Sequence, residues 1–189
     1  MSDIRRLIAI DPGTTESAYV VMEGSTVLAH GIVSNMAMLA RITVLPDADA
    51  SLAVEHMAYE MVACYGMPVG REVFETCVWI GRFIEAFRGE ATPIYRTDVK
   101  SRLCHSPKAK DPNIRQALLD LYGGKEKAIG KKKTPGPLYG IHSHEWAALA
   151  VAVTFGMKEL WQVDSRLCPL CPVGEALPPG AEPFSKETT

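Results

Sequence analysis

Short apolar runs separated by turn residues dominate the first part of the chain. The run 7–10 leads directly into Asp-Pro-Gly at 11–13, and the runs 17–22 and 26–33 are joined by a Glu-Gly-Ser triplet. Because proline fixes φ and glycine accepts positive φ, such triplets are typical of turns that end strands. The pattern predicts three consecutive strands, with Asp11 at the end of the first.

The middle of the chain switches from strand spacing to helical spacing. The apolar run 56–63 contains Glu60 and predicts a fourth strand that carries a second acid. From 69 to 87 the apolar residues recur at helical spacing, and Gly81 in mid-helix indicates the close approach of another backbone. Residues 92–95 are short and partly β-branched, which predicts a fifth strand.

Two more helices and a long loop follow. Asp111 is a good N-cap for a helix over 111–122, which two glycines end. Residues 123–140 are rich in Gly, Pro and Lys and predict a functional loop, since connections of this length are rarely passive. Ser143 is predicted to cap a last helix that is apolar nearly all round and runs to about residue 161.

The size and composition predict one α/β domain with a tail. The chain has 189 residues and 47% hydrophobic content, enough for a sizeable core. We assign residues 1–163 to the domain and 164–189 to a Pro-rich C-terminal tail. No apolar run has the length of a membrane span and the N-terminus is not a signal peptide, so we expect a cytoplasmic protein with no membrane partner.

The five cysteines do not form the framework of a secreted protein, because their number is odd and three of them are scattered. Cys168 and Cys171 have the spacing of half a zinc site. Cys104 and His105 could complete it only if the fold brings them together. We expect a pair of reduced cysteines.

Positive charge is concentrated between Arg96 and Lys133. This segment holds eleven Lys or Arg against four acids, although the whole chain has a net charge of −2. Such asymmetry is typical of a protein that meets a phosphate backbone with one face, the alternative being a solvated lysine loop. Three of the candidate residues, Arg96, Lys100 and Arg102, are expected to follow a strand edge. The full set of candidate DNA-contacting residues is Arg96, Lys100, Arg102, Lys108, Lys110, Lys131, Lys132 and Lys133.

The order of these parts resembles the Holliday junction resolvases of the RuvC type, in the ribonuclease-H-like superfamily. The likeness covers residues 5 to about 157 and rests on the strand Asp-Pro-Gly, the Glu of the fourth strand, the basic segment and a late helix that begins Ser-His; phage-encoded members are the most similar. It implies a five-stranded mixed sheet flanked by helices. It also implies a metal-dependent endonuclease that resolves branched DNA with two Mg²⁺ or Mn²⁺ ions.

The resemblance assigns the site residue by residue. Asp11 matches the first-strand acid, and Glu60 matches the fourth-strand acid better than Glu55 does because the apolar strand residues surround it. His144 matches a third metal ligand, or the base that orients water. The fourth ligand falls at position 147, one helical turn later, where this chain has Ala147.

Ala147 leaves two hypotheses open. Either the site has lost a ligand, by engineering or in nature, or His142 or Glu145 has replaced it; Glu145 lies about 100° around the helix from His144 and is a poor substitute. We expect an inactive nuclease, and the alternative is a noncatalytic protein of the same fold that binds branched DNA. The sugar-kinase and actin-like ATPases also use a first-strand Asp turn but need a second glycine-rich phosphate loop and a longer chain.

Paired cuts in a junction need two active sites, so we expect a homodimer with twofold symmetry. The predicted helix at 69–87 is the candidate dimer face, because its aromatic residues exceed what one core stripe requires. Packing in the core of one chain is the alternative explanation for these residues, which are Phe74, Trp79, Phe83 and Phe87.

Overall fold

A computed structural model describes residues 6–44, 54–64, 66 and 68–160 of the chain. Five strands form one sheet in the order β3-β2-β1-β4-β5. β2 is antiparallel to β1 and β3, whereas β1, β4 and β5 run parallel. The strands are β1 (Arg6–Asp11), β2 (Glu16–Glu23), β3 (Thr26–Ser34), β4 (His56–Met61) and β5 (Glu90–Tyr95).

Helices cover both faces of this sheet, so the predicted mixed sheet flanked by helices is confirmed. A two-stranded hairpin, β6 (Gly130–Lys131) and β7 (Thr134–Pro135), stands apart from it. A π-helical turn, Gly156–Leu160, extends the last helix. The helices are α1 (Asn35–Val44), α2 (Arg71–Ala86), α3 (Arg96–Cys104), α4 (Asp111–Leu121), α5 (Lys125–Ile129) and α6 (Glu145–Phe155).

The central strand β1 divides its side chains between two cores. Leu7 and Ala9 belong to the core under α3, α4 and α6, whereas Ile8 and Ile10 belong to the core under α1 and α2. This alternation follows from the two-residue period of a strand. Because both faces are covered, the strand is apolar from Leu7 to Ile10, and the next residue towards its carboxyl end is the polar Asp11.

The segment after β5 is a helix, which corrects the prediction that its basic residues follow a strand edge. Arg96, Lys100 and Arg102 lie on α3, where Val99 and Leu103 are the buried residues. Two buried positions one turn apart give little helical periodicity in a sequence that is otherwise charged. The helix therefore depends on tertiary packing rather than on a visible apolar stripe.

Three local predictions need correction. Residues 123–140 are not a plain loop, since they contain α5 and the β6–β7 hairpin. The N-cap of α4 is Lys110 rather than Asp111, and Asn113 Oδ1 accepts the Lys110 backbone N–H at 3.0 Å. Ser143 does not cap α6, since the N-cap residue is His144; the carboxylate of Glu145 accepts the His142 backbone N–H at 2.8 Å.

Part of the sequence lies outside the described residues. The predicted tail at 164–189, with Cys168 and Cys171, is among them, so the domain division and the reduced cysteine pair stay predictions. Within the described ranges, no helix has the length and apolarity needed to cross a membrane.

Candidate active site

Two acidic residues stand at neighbouring strand ends in the middle of the sheet. β1 and β4 are parallel and paired up to Ile10 and Tyr59, so Asp11 and Glu60 are the next residues on each strand. Because carboxyl ends of parallel strands meet at the same edge, both carboxylates emerge there. The fold thereby brings together two acids that are separated by 49 positions in the sequence.

A buried hydrogen-bond network fixes the turn after Asp11. Ser17 Oγ donates to Asn35 Oδ1 at 2.6 Å, and Asn35 Nδ2 donates to the Gly13 carbonyl at 2.9 Å. The Gly13 N–H in turn donates to Ser17 Oγ at 3.3 Å. Ser17 and Asn35 are both 1% exposed, so these satisfied polar groups hold the turn rigidly beside the carboxylate.

Arg96 lies between two carboxylates of the site. Its Nη1 donates to Glu60 Oε2 at 3.3 Å, and its Nη2 is paired with Asp111 Oδ1. Glu60 and Arg96 are 19% and 26% exposed, whereas Asp111, at the start of α4, is 79% exposed. A residue predicted to contact DNA therefore pairs with two of the acids of the site in this structure.

His144 completes the group from the other side. Its Nδ1 lies 3.1 Å from Asp11 Oδ2, a hydrogen bond in which the carboxylate accepts. In that tautomer the lone pair is on Nε2, and the ring is 72% exposed. Ser143, just before it, has a left-handed φ of 46°, which is uncommon for a non-glycine residue and frequent at functional sites.

Burial raises the pKa of both strand carboxyls. The pKa of Glu60 rises from 4.5 to about 7, mainly through desolvation; Arg96 opposes the rise, and Asp11 and Asp111 add to it. The pKa of Asp11 is also raised by burial, an effect that the neighbouring His144 partly offsets. Carboxyls in this state favour any cation that enters the cleft.

These side chains line an open cleft of about 470 Å³ at the edge of the sheet. Asp11 also borders two adjoining grooves, one along the residues after β4 and one along the turn at 12–16. The cleft thus opens onto surface on both sides of Asp11. Its lining residues are Asp11, Glu60, Arg96, Asp111, Ile114, Arg115, Ser143, His144, Trp146 and Ala147.

The donor set suits one hard divalent cation. Carboxylate oxygens of Asp11 and Glu60 and a nitrogen of His144 face the same cleft, and oxygen donors are what Mg²⁺ and Mn²⁺ prefer. Among the described residues, however, no group of three or more His, Cys, Asp or Glu side chains has the arrangement of a formed metal site. Arg96 supplies the positive charge there instead.

Ala147 faces the cleft that Glu145 does not reach. Glu145 is 1% exposed, and its carboxylate lies 3.2 Å from His30 Nδ1 and 2.8 Å from His142 Nδ1. This buried group anchors the start of α6 and is not among the residues that line the cleft. Neither Glu145 nor His142 lines the cleft, and both are engaged with each other, so the structure favours the hypothesis that the ligand at position 147 is lost.

The other predicted basic residues lie outside this cleft. Lys100 is half-buried on α3, and Arg102 donates to the Met157 carbonyl at 3.4 Å. The remaining lysines are exposed around α4 and on the β6–β7 hairpin; they are Lys108, Lys110, Lys131, Lys132 and Lys133.

Two residues of the cleft were missed from the sequence. Asp111 was assigned only as a helix cap, and Arg115 was given no site role. Arg115 lies over the Trp146 ring at 4.7 Å, which places a second guanidinium in the lining of the cleft. Both residues lie in the first half of α4. They are four positions apart and so share one helical face, which could have indicated from the sequence that they lie together.

Solved structures similar to this fold include those of RuvC. T. thermophilus RuvC in complex with a Holliday junction substrate has 17% identity and a TM-score of 0.61, covering 82% of this chain and 94% of that one. A second Thermus thermophilus RuvC structure has 19% identity and a TM-score of 0.58, covering 81% and 95%. No family model and no curated protein matches the sequence. Neither structure is of a phage protein, so the phage branch stays a prediction, and the likeness shows that this chain has the RuvC type of ribonuclease-H-like fold.

Proposed function

We propose that this chain is a metal-dependent endodeoxyribonuclease of the kind that resolves Holliday junctions or other branched DNA, and that Ala147 has inactivated it, so that it binds branched DNA without cutting it. The observation that carries the proposal is the convergence of Asp11, Glu60 and His144 on one cleft. One of the two structural neighbours is a complex with a Holliday junction substrate, which supports DNA as the ligand class.

Each residue of the cleft has a distinct role in this proposal. A bound Mg²⁺ or Mn²⁺ would acidify the attacking water and stabilise charge on the phosphate. Asp11 and Glu60 would hold the ion, and the network around Ser17 and Asn35 keeps the Asp11 turn in place. His144, with its Nδ1 on Asp11, presents Nε2 as a ligand or as a base for water.

Ala147 removes the fourth ligand from this set. It lines the cleft one helical turn after His144, so a carboxylate there would point at the same ion. Two ions close together need carboxylates to offset their repulsion. With three ligands and a methyl group, we expect the second ion to be weak or absent and phosphodiester cleavage to be negligible.

Lysines outside the cleft would bind the DNA backbone. Lys131, Lys132 and Lys133 are exposed on a hairpin and Lys108 and Lys110 at the start of α4. Contacts from such side chains to phosphates carry no base information. This is the property that a protein recognising the shape of a junction requires.

The noncatalytic alternative has one observation in its favour. Arg96 neutralises Glu60 at 3.3 Å, an arrangement compatible with a cleft that receives phosphate and holds no metal. On this alternative the chain is a binding protein even when position 147 carries an acid.

The substitution Ala147→Asp separates the two functions. We expect the chain as written to bind a four-way DNA junction and leave it uncut in Mg²⁺, and Ala147→Asp to cut it in paired positions. Ala147→Asn, which has the same size without the charge, is the matched control and should remain inactive. The measurement is cleavage of end-labelled junction, with binding followed by mobility shift.

Two results would contradict this account. Strong Mg²⁺-dependent cutting by the unsubstituted chain would show that Ala147 is not a loss. A folded, junction-binding Ala147→Asp variant that never cuts would favour the noncatalytic binder.

We also propose a homodimer that uses α2. Phe74 and Val78 on its outer side are 60% and 58% exposed, and no described atom lies within 4 Å of a Cβ built at Gly81. Among the described residues outside α2, no backbone therefore approaches Gly81 closely, and the prediction of such an approach needs correction. Phe83 and Phe87, by contrast, are buried in the core, which leaves Phe74 as the exposed aromatic of the four.

A further inference from the structure

Arg96 places a fixed positive charge at a point where the proposed function calls for a metal ion. Its guanidinium bridges Glu60 of β4 and Asp111 of α4, two carboxylates from different elements. The side chain is 26% exposed, so it is partly withdrawn from solvent. A planar fork that engages two carboxylates is a geometry that Arg forms and Lys does not.

The backbone holds Arg96 in this position. It is the first residue of α3, directly after β5, and β5 pairs in parallel with β4 so that both strands end at the site edge. Asp98 Oδ2 accepts the Tyr95 backbone N–H at 3.4 Å, which anchors the first turn of the helix. The guanidinium therefore belongs to the cleft and is not a surface side chain that happens to approach it.

We propose that Arg96 is a built-in counter-ion that occupies the place of one of the two cations, so that this chain binds at most one divalent ion and only in competition with the guanidinium. The inference rests on the proposed function and deepens it. Arg96 and an ion near Glu60 would share the same carboxylate oxygens, since Nη1 is already at 3.3 Å from Oε2.

The competition has a chemical consequence. A guanidinium neutralises carboxylates and attracts phosphate, but it does not acidify a water molecule as a divalent ion does. With Arg96 in place and Ala147 lacking a carboxylate, the cleft can receive a DNA phosphate without the chemistry that would cut it. The two features act in the same direction, towards binding without cleavage.

The test is a calorimetric titration of Mn²⁺ into the DNA-free protein. Arg96→Gln removes the competing charge, and we expect it to bind Mn²⁺ roughly tenfold more tightly than the unsubstituted chain. Arg96→Lys keeps one charge but cannot bridge both carboxylates, so we expect a smaller gain of about threefold. Unsubstituted protein should show a stoichiometry no greater than one.

Arg115→Gln is the matched control. It removes the same charge from the same cleft, but Arg115 lies over the Trp146 ring rather than on Glu60. We expect its Mn²⁺ affinity to change by less than about twofold, because a charge without direct contact acts through solvent screening. Near-ultraviolet circular dichroism checks that each variant is folded.

The proposal is overturned if Arg96→Gln binds Mn²⁺ no more tightly than Arg115→Gln, or if the unsubstituted chain binds two ions. Should Arg96→Gln fail to fold, Arg96→Lys decides, and an affinity equal to that of the unsubstituted chain refutes the competition. No DNA and no cleavage enter this measurement. A failure of the proposed function in the junction assay is therefore distinguishable from a failure here.

Discussion

Glu60 lies in an environment that is unfavourable to its charged form. It is 19% exposed, and Asp11 and Asp111 are close enough to raise its pKa further. Burying a carboxylate without full pairing costs stability. Such groups are therefore found mainly where a function requires them. Glu60 is thus a stability cost that Arg96 offsets only in part, as the raised pKa shows.

This cost predicts an unusual pH dependence. The pKa of Glu60 is about 7 in the folded chain against an ordinary value of 4.5, so between these pH values the folded chain holds a proton that the unfolded chain has released. Raising the pH through this window therefore lowers the free energy of unfolding, by about 3 kcal/mol at most. In metal-free buffer, Glu60→Gln should be the more stable protein at pH 8, with the difference lost near pH 5.

Urea unfolding at the two pH values measures this effect. Glu85→Gln, which removes a carboxylate from the exposed side of α2, serves as the control and should leave the pH profile unchanged. A Glu60→Gln variant that is less stable than the unsubstituted chain at pH 8 would mean that the Arg96 pair outweighs the desolvation.

At the residue scale, the side chains that line the cleft were easier to predict from the sequence than the contacts they make with one another. Asp11 was identifiable because the turn chemistry around it stops an apolar strand. The role of Arg96 was not, because local sequence does not indicate that the start of α3 meets the start of α4. Asp111 was hidden for the same reason, since an acid before a proline is fully explained as a helix start.

At the scale of elements, α2 packs one apolar face against the sheet and also carries apolar side chains on its exposed face. Ile80 and Phe83 pack in the core, while Phe74 and Val78 stand exposed near Gly81. Exposed apolar patches often mark surfaces that contact another molecule. The exposed face of α2 is the surface that we propose for the contact with a second copy of the chain.

Phe74→Glu combined with Val78→Glu should abolish the dimer. The two charges would face their symmetry mates across an apolar contact, so we expect dimerisation to weaken about a hundredfold or more. Sedimentation velocity over a range of concentrations measures the change. Met36→Glu with Val44→Glu, two equally exposed apolar positions on α1, is the matched control. A double α2 variant that remains dimeric would refute the assignment.

The elements themselves were predictable in proportion to their periodicity. The strands β1 to β3 and the helices α2 and α4 have clear apolar patterns, and the structure places them within a few residues of the predicted bounds. α3 and the β6–β7 hairpin have no such pattern, because few of their residues are buried. Elements that depend on tertiary contacts cannot be predicted from the periodicity of apolar residues.

At the scale of the whole molecule, the sheet edge and the charge distribution support the same function. The parallel strands bring Asp11 and Glu60 to one cleft, α6 adds His144, and the basic segment supplies exposed lysines on the connecting elements. The fold is of the RuvC type, and in our account two features separate this chain from an active nuclease: position 147 lacks a carboxylate, and Arg96 competes for Glu60.

The most direct test of that account is the position of Mn²⁺ in crystals of the Ala147→Asp variant. We predict an anomalous difference peak in coordination distance of the Asp11 and Glu60 carboxylates and of the introduced carboxylate. The contradicting result is a Mn²⁺ ion bound elsewhere on the protein, at a saturating Mn²⁺ concentration, while Arg96 remains paired with Glu60. The cleft would then not be a metal-dependent nuclease site.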